Sequence, residues 1–204
     1  EPFSPTPVQH AYWMGRTKAF ELGNVAAHCY QEIDARDLDA ERLARAWHKV
    51  VHRHDMLRAT VRDNGDLIVA RESEDGGFPI LDLRGLAEVK RRESLLAVRA
   101  EMSRQTLDTS HAPLADIRLS LLPDGVTRIH LDIDNIIVDA WSLFLIMEEW
   151  ANFYADENFS LPPLRLTFRD YTRTLESLRD SIEYHKAETY WQERLPSLPP
   201  APEL

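Results

Sequence analysis

Two short turns separate runs of strand-forming residues and restrict this chain to folds that contain β-hairpins. The first turn is Asp63-Asn64-Gly65, and an Asn-Gly pair between two such runs is the strongest local signal for a hairpin. The second turn is Pro123-Asp124-Gly125. The run after it alternates apolar and polar residues, as a strand with one packed face does. The sequence therefore predicts antiparallel strands at 57–62 and 66–71, and at 117–122 and 126–134.

Apolar residues at helical spacing recur between and after these hairpins. The clearest case follows Asp39, a suitable N-cap, where Leu43, Trp47 and Val50 share one face. A less regular apolar stretch at 25–33 favours a strand. Hairpins mixed with helices, without regular βαβ repeats, predict an α+β fold in which a mixed sheet is flanked by helices. The predicted helices are 8–16, 39–54, 86–105, 139–154, 168–179 and 182–194, before a proline-rich tail at 196–202 that favours a linker or a crossing strand.

The charge balance argues against several classes of function. The chain has 204 residues, 24 Lys and Arg against 34 Asp and Glu, a formal net charge of −10 and 44% hydrophobic residues. It is therefore a folded acidic domain with no basic field to attract nucleic acid, and its seven glycines match no nucleotide-binding loop. No apolar run approaches the roughly 18 residues that span a membrane, and no signal-peptide pattern begins the sequence. A single cysteine, Cys29, fits a reducing compartment, so we expect a cytoplasmic protein.

Acidic residues gather where the strand at 126–134 ends and the next helix begins. Asp132 and Asp134 lie on the same strand face, and their oxygen atoms would suit Mg²⁺ or Ca²⁺. The alternative interpretation places Asp132 on a solvated face and makes Asp139 the N-cap of the helix, three residues before Ser142. Magnesium sites built from protein ligands alone are uncommon, so we favour the structural interpretation and predict no metal.

Other positions also have a chemical and a structural interpretation. His130 could act as a general base, but nothing in the sequence orients it, which favours a core histidine. Cys29, beside His28, could be a nucleophile, although a lone cysteine is usually packed in the core. Tyr12 and Trp13 could line a ligand pocket or fill the core, and spacing alone does not decide between the two.

Several segments together resemble the heterocyclization domains of nonribosomal peptide synthetases, a branch of the condensation-domain superfamily. Residues 3–16 resemble the first motif of that branch, with Ser4-Pro5 in place of its usual Pro-Leu. Residues 53–58 resemble a second motif, which ordinary condensation domains share. The segments 168–171, 190–195 and 198–202 extend the resemblance to the end of the sequence.

The most specific part of the resemblance is the spacing of Asp134, Asp139 and Ser142. It matches the branch's Asp-x-x-x-x-Asp-x-x-Ser motif, which replaces the His-His-x-x-x-Asp-Gly motif of ordinary condensation domains. Asn135 then stands where the second histidine of that motif would be. The motif itself therefore contains no imidazole base.

The resemblance implies a fold of two lobes of chloramphenicol-acetyltransferase type, arranged in a V around the reaction centre. Residues 1–204 resemble the N-terminal lobe, and 196–204 would begin the linker to a C-terminal lobe. The implied reaction has two stages. The amine of a carrier-bound Cys, Ser or Thr attacks a thioester, and its side chain then adds to the new amide with loss of water, which gives a thiazoline or oxazoline. No cofactor binds the lobe directly, because the phosphopantetheine arms belong to carrier proteins.

The implied partners are the C-terminal lobe, upstream and downstream peptidyl or aryl carrier proteins, and an adjacent adenylation domain. An isolated lobe would expose the face that packs on its partner, so we expect it to self-associate. We also expect it to be inactive, because a reaction centre formed between two lobes loses one wall when a lobe is absent. The resemblance also implies that residues assigned to dehydration lie in the C-terminal lobe. Two alternatives stay open: an ordinary condensation domain, and a non-catalytic module that only binds a carrier protein.

The resemblance assigns catalysis to Asp134, Asp139 and Ser142. We expect Asp134 to be an exposed carboxylate of the cleft that positions the amine and contributes little to folding. We expect Asp139 to be buried and paired with Arg58 or Arg62, since a buried charge needs a partner. Ser142 would bond that carboxylate or cap the helix. The expected substrate-positioning or scaffold residues are Asn135, Arg58, Arg62 and Tyr12.

Overall fold

The computed structural model describes residues 1–17, 23–72 and 77–200, which belong to two compact units, Glu1–Arg165 and Leu166–Leu204. The first unit contains the helices α1 (Pro7–Gly15), α2 (Ala40–Arg53), α3 (Glu88–Met102) and α4 (Ala140–Ala155). Its strands are β1 (His28–Arg36), β2 (Ala59–Val61), β3 (Leu67–Val69), β4 (Ile80–Asp82), β5 (Ala115–Leu121) and β6 (Val126–Asp134). The second unit contains α5 (Phe168–Ser177) and α6 (Ile182–Arg194).

The described part of the first unit is organised around a mixed sheet with the strand order β1-β6-β5-β4. β6 is antiparallel to both β1 and β5, whereas β4 is parallel to β5, to which it is connected through α3. β2 and β3 form a separate antiparallel pair. A mixed sheet with flanking helices confirms the predicted α+β fold.

Both predicted hairpins are confirmed, and their turns explain the choice of residues. Gly65 has a positive φ of 87°, and a Cβ at that position would lie 3.0 Å from the ring of Trp13. Trp13 therefore packs against this turn. In the second turn Asp124 and Gly125 both have positive φ, a conformation that matches the twist of a tight hairpin.

Several element boundaries differ from the prediction. A 3-10 helix, Asp55–Arg58, occupies the start of the strand expected at 57–62, and β1 begins at His28 rather than at residue 25. The short strand β4 was not predicted, because its three residues are exposed and carry no alternating pattern. The end of the proposed linker, 201–204, and Gly76 of the break expected before α3 lie outside the described residues.

The apolar core is formed by buried residues of one face of the sheet and of the helices α2 and α4. Apolar side chains of β6, such as Leu131 and Ile133, are fully buried on that face. The rings of Trp47 and Trp150 lie 5.0 Å apart between α2 and α4. The indole of Trp150 donates a hydrogen bond of 3.0 Å to the carbonyl of Leu43. The polar atom of this large side chain is thus satisfied inside the core.

Large apolar side chains are exposed at the start of α4. Trp141 is 80% exposed and Phe144 is 70% exposed. An apolar surface of this kind is what self-association of an isolated lobe would require, and that association stays a prediction. None of the described helices has the length and apolar character needed to cross a membrane.

Candidate functional site

The opposite side of the sheet carries polar residues from three neighbouring strands. Because side chains alternate along a strand, Asp132 and Asp134 project away from the apolar core. The strand register places Tyr30 and Asp116 on either side of Asp132, and His28 beside Asp134. We call the set the polar face, and it consists of His28, Tyr30, Glu32, Asp34, Asp116, Arg118, Ser120, Arg128, His130, Asp132 and Asp134.

Asp134, the last residue of β6, is buried in an ion pair. It is 1% exposed, its Oδ1 accepts a hydrogen bond of 2.9 Å from the backbone N–H of Ile136, and its Oδ2 pairs with the guanidinium of Arg16. Arg16 also donates a hydrogen bond of 2.8 Å to the carbonyl of Leu107. Burial lowers the pKa of Arg16, and the charge of Asp132 opposes that shift. The prediction that Asp134 is an exposed cleft carboxylate is therefore wrong.

A second contact joins α1 to the segment that follows β6. Thr6 and Gln9 form a capping box at the start of α1. The amide of Gln9 also donates a buried hydrogen bond of 2.7 Å to the carbonyl of Ile136. Gln9 and Arg16 lie in the first of the resembling motifs, but their contacts connect residues far apart in the chain. Only tertiary structure shows that the first motif fixes the acidic motif in place.

Asp139 is exposed and caps α4. Its Oδ1 accepts a hydrogen bond of 2.8 Å from the backbone N–H of Ser142. Bonds from the backbone and side chain of Ser142 lower the pKa of Asp139. The strand-to-helix junction predicted here is confirmed, as is the capping role of Asp139. The prediction that Asp139 is buried against Arg58 or Arg62 is wrong, because an N-cap carboxylate turns toward the first turn of its own helix.

Of the two arginines proposed as partners, Arg58 contacts the segment just before the first hairpin. The guanidinium of Arg58 donates hydrogen bonds of 2.6 and 2.5 Å to the carbonyls of Val51 and His52 at the end of α2. It also pairs with Asp55 at 2.8 Å. Arg62 is exposed. Neither side chain is brought to the acidic motif by a described contact.

Replacing Asp139 with alanine should lower the free energy of unfolding by about 1 kcal/mol at neutral pH, the usual effect of losing an N-cap. Because folding lowers the pKa of this carboxyl, its contribution is complete above the pKa of the unfolded state. It is lost as the pH falls through the lower folded value. The measurement is a series of thermal melts of Asp139→Ala and Asp139→Asn at several pH values. The difference in melting temperature between the unsubstituted protein and Asp139→Ala should shrink in acid. A difference in melting temperature that does not change with pH would contradict the capping role of the Asp139 carboxylate.

Asp132, two residues before Asp134, is fully buried and is held on both oxygens. Nδ1 of His28 lies 2.5 Å from its Oδ1, and the amide of Gln105 donates a hydrogen bond of 2.7 Å to its Oδ2. The alternative of a solvated Asp132 is therefore wrong. In the described part of the chain, no group of three His, Cys, Asp or Glu side chains could hold a metal ion.

The far end of the polar face is covered by charged residues of α3. Arg99 donates two hydrogen bonds of 2.7 Å to Glu32, and Tyr30 donates a third of 2.9 Å. The bonds from Arg99, with those from Tyr30, lower the pKa of Glu32 to about 2, although its partial burial opposes the shift. At this end of the polar face, Glu32 is thus held by both Arg99 and Tyr30.

The remaining candidates have structural positions. His130 is fully buried between Tyr30 at 2.8 Å and Ser120 at 3.0 Å, and burial lowers its pKa, which confirms a core histidine. Cys29 is partly buried on the other side of β1, opposite Ile133. Tyr12 and Asn135 are both partly exposed, and the backbone N–H of Asn135 bonds to the carbonyl of residue 27 at 2.9 Å.

Comparisons with known proteins identify the family to which this chain belongs. The family described as "Condensation domain" matches residues 9–204. Phenyloxazoline synthase MbtB of Mycolicibacterium paratuberculosis is 37% identical over 211 residues, covering 100% of this chain and 17% of the synthase. Pyochelin synthetase PchF of Pseudomonas aeruginosa is 34% identical over 203 residues, covering 99% of this chain and 11% of the synthetase.

A solved structure is similar over the whole chain. The EpoB cyclization-docking bidomain from Sorangium cellulosum superposes with a TM-score of 0.92 at 41% identity, covering 100% of this chain and 41% of the bidomain. This chain thus spans only a part of each relative that it matches. The similarity confirms the resemblance to the heterocyclization branch that the motifs indicate.

Proposed function

Because this chain belongs to the condensation-domain family, we propose that it forms the N-terminal lobe of a heterocyclization domain in a nonribosomal peptide synthetase. The complete domain would join a carrier-bound acyl or peptidyl thioester to carrier-bound Cys, Ser or Thr. It would then close the product to a thiazoline or oxazoline with loss of water.

The strand-to-helix junction from Asp134 to Ser142 is the observation that carries this proposal. At this junction Asn135 replaces the second histidine of the ordinary condensation motif. The first aspartate is not a free base, because its Oδ1 accepts the N–H of Ile136 and its Oδ2 is ion-paired with Arg16. Relatives named as a phenyloxazoline synthase and a cyclization bidomain support the heterocyclizing branch over ordinary condensation.

The role that this geometry supports for the acidic motif is positioning. Asp134 and Gln9 fix the backbone between β6 and α4 from two sides. Asp139 fixes the first turn of α4. The segment that carries Asn135 is thereby held rigid at the end of the sheet, with the side chain of Asn135 partly exposed. Reactions between two held substrates gain much of their rate from such fixed geometry.

The proposed chemistry requires no group bound to this chain. In the first stage a C–N bond forms and the C–S bond of the thioester breaks, which releases the thiol of the donor carrier. In the second stage the side-chain sulfur or oxygen of the acceptor adds to the new carbonyl carbon, and that carbonyl oxygen leaves as water. Phosphopantetheine arms on the two carrier proteins would deliver both reactants.

The test uses the complete synthetase domain with an acyl-loaded donor carrier and a cysteinyl-loaded acceptor carrier. Intact-mass spectrometry of the acceptor should show an amide first and then a product lighter by one water. An amide that never loses water would overturn heterocyclization in favour of ordinary condensation. Carrier binding without any amide would instead identify a non-catalytic docking module.

A further inference from the structure

We propose that His28, oriented by Asp132, is the proton-transfer residue of amide formation, an inference that rests on the proposed function. The motif between β6 and α4 lacks an imidazole, yet the fold places one directly beside it. His28 is the first residue of β1, and its register partner on β6 is Asp134. The neighbouring backbone of residue 27 also bonds to Asn135 at 2.9 Å.

The contacts of His28 form a carboxylate-imidazole pair. Nδ1 lies 2.5 Å from Oδ1 of Asp132, a carboxylate that is fully buried. Gln105 holds the other oxygen at 2.7 Å, so the carboxylate cannot rotate away from the ring. A carboxylate beside Nδ1 keeps the proton on that nitrogen and leaves Nε2 as the acceptor.

His28 is also partly exposed, as a residue that meets a substrate must be. Its side chain is 14% exposed, whereas Asp132 beneath it is fully buried. Among the described residues, Nε2 of His28 has no hydrogen-bond partner, and no strand pairs with the outer edge of β1. The ring is therefore held on one side and open on the other, which is the arrangement required of a general base.

The other histidines do not meet these conditions. Both ring nitrogens of His130 are occupied, by Tyr30 and Ser120, and the side chain is fully buried. His54 bonds to Glu149 of α4 at 2.7 Å, away from the polar face. The remaining five lie on exposed positions: His10, His48, His52, His111 and His185.

His28 alone can account for the proton transfers of amide formation. Nε2 accepts a proton from the attacking amine as the C–N bond forms. The imidazolium, stabilised by Asp132, then gives that proton to the departing thiolate as the C–S bond breaks. His28 then again carries only the proton on Nδ1, so no net proton is gained or lost by the chain.

The decisive variant is His28→Asn in the complete domain. The introduced amide can still donate to Asp132 but has no atom in place of Nε2. We expect the melting temperature to stay close to that of the unsubstituted domain and the KM for the acceptor carrier to change little. The kcat of amide formation should fall about 10²–10⁴-fold, the usual contribution of a general base. His52→Asn, at an exposed histidine of α2, is the matched control and should retain the full kcat.

Full amide formation by His28→Asn would overturn the inference and leave the proposed function intact. An unsubstituted domain that forms no amide would overturn the proposed function itself. If His28→Asn does not fold, diethyl pyrocarbonate labelling of the unsubstituted domain tests the role of His28 instead. His28 should be modified and His130 should not, and amide formation should be lost in proportion to His28 modification. An unreactive His28, or full activity after its modification, would overturn the inference.

Discussion

Replacing Asp134 with alanine is expected to lower the free energy of unfolding by about 3–5 kcal/mol, because it leaves the buried guanidinium of Arg16 without its partner. The backbone N–H of Ile136 loses its acceptor in the same variant. The effect should therefore exceed that of Asp139→Ala severalfold. Urea denaturation of both variants beside the unsubstituted protein measures the difference.

Two further variants separate the ion pair from general effects of charge removal. Asp82→Ala removes an exposed aspartate that pairs with Arg84 on the protein surface at 2.6 Å. This variant should unfold at the same urea concentration as the unsubstituted protein. The double variant Arg16→Met with Asp134→Leu removes both buried charges and should recover much of the stability lost in Asp134→Ala. If Asp134→Ala unfolds at the same urea concentration as the unsubstituted protein, Asp134 does not form the buried pair described above.

The isolated chain of 204 residues is expected to show no turnover to amide or ring product. In the proposed function, this chain supplies one side of the site, formed by the junction between Asp134 and Ser142. Near-attack geometry requires both reactants to be held, and the proposed second lobe supplies the other side of the site. The measurement incubates the chain with both loaded carriers and follows the acceptor by intact-mass spectrometry.

The complete domain at the same concentration is the positive control for this assay. Adding the C-terminal lobe as a separate chain should restore activity only if the two lobes associate. Multiple turnovers by the isolated chain would show that the second lobe is not essential. Sedimentation of the isolated chain in the same experiment tests self-association through the exposed start of α4, where Trp141 and Phe144 lie.

Local signals predicted most of the secondary structure. The Asn64-Gly65 and Asp124-Gly125 turns require positive φ at one or both residues, so sequence and backbone conformation are directly linked there. The cap at Asp39 is equally local, because its carboxylate bonds to the N–H of Arg42 within the same turn. The strand β4 carried no such signal. Its residues are exposed, and it exists because its backbone pairs with β5.

The burial of Asp134 and the exposure of Asp139 could not be predicted from the sequence. The motif spacing located Asp134 and Asp139 at a strand-to-helix junction, which the structure confirms. The sequence analysis predicted that Asp139 would be buried and Asp134 exposed, and the structure shows the reverse. Asp134 is enclosed because α1 brings Arg16 and Gln9 across the end of β6, a contact between residues more than one hundred positions apart. Asp139 is exposed because nothing from the described chain covers the first turn of α4 there.

The sequence by itself determined the α+β fold, the two hairpins, the family resemblance and the position of the acidic motif, because turns, caps and periodicity depend on neighbouring residues. Only the tertiary structure decided which side chains share the polar face and which carboxylates are buried. It alone placed His28 beside Asp132, since strand register and the packing of α1 join parts of the chain that no local pattern relates.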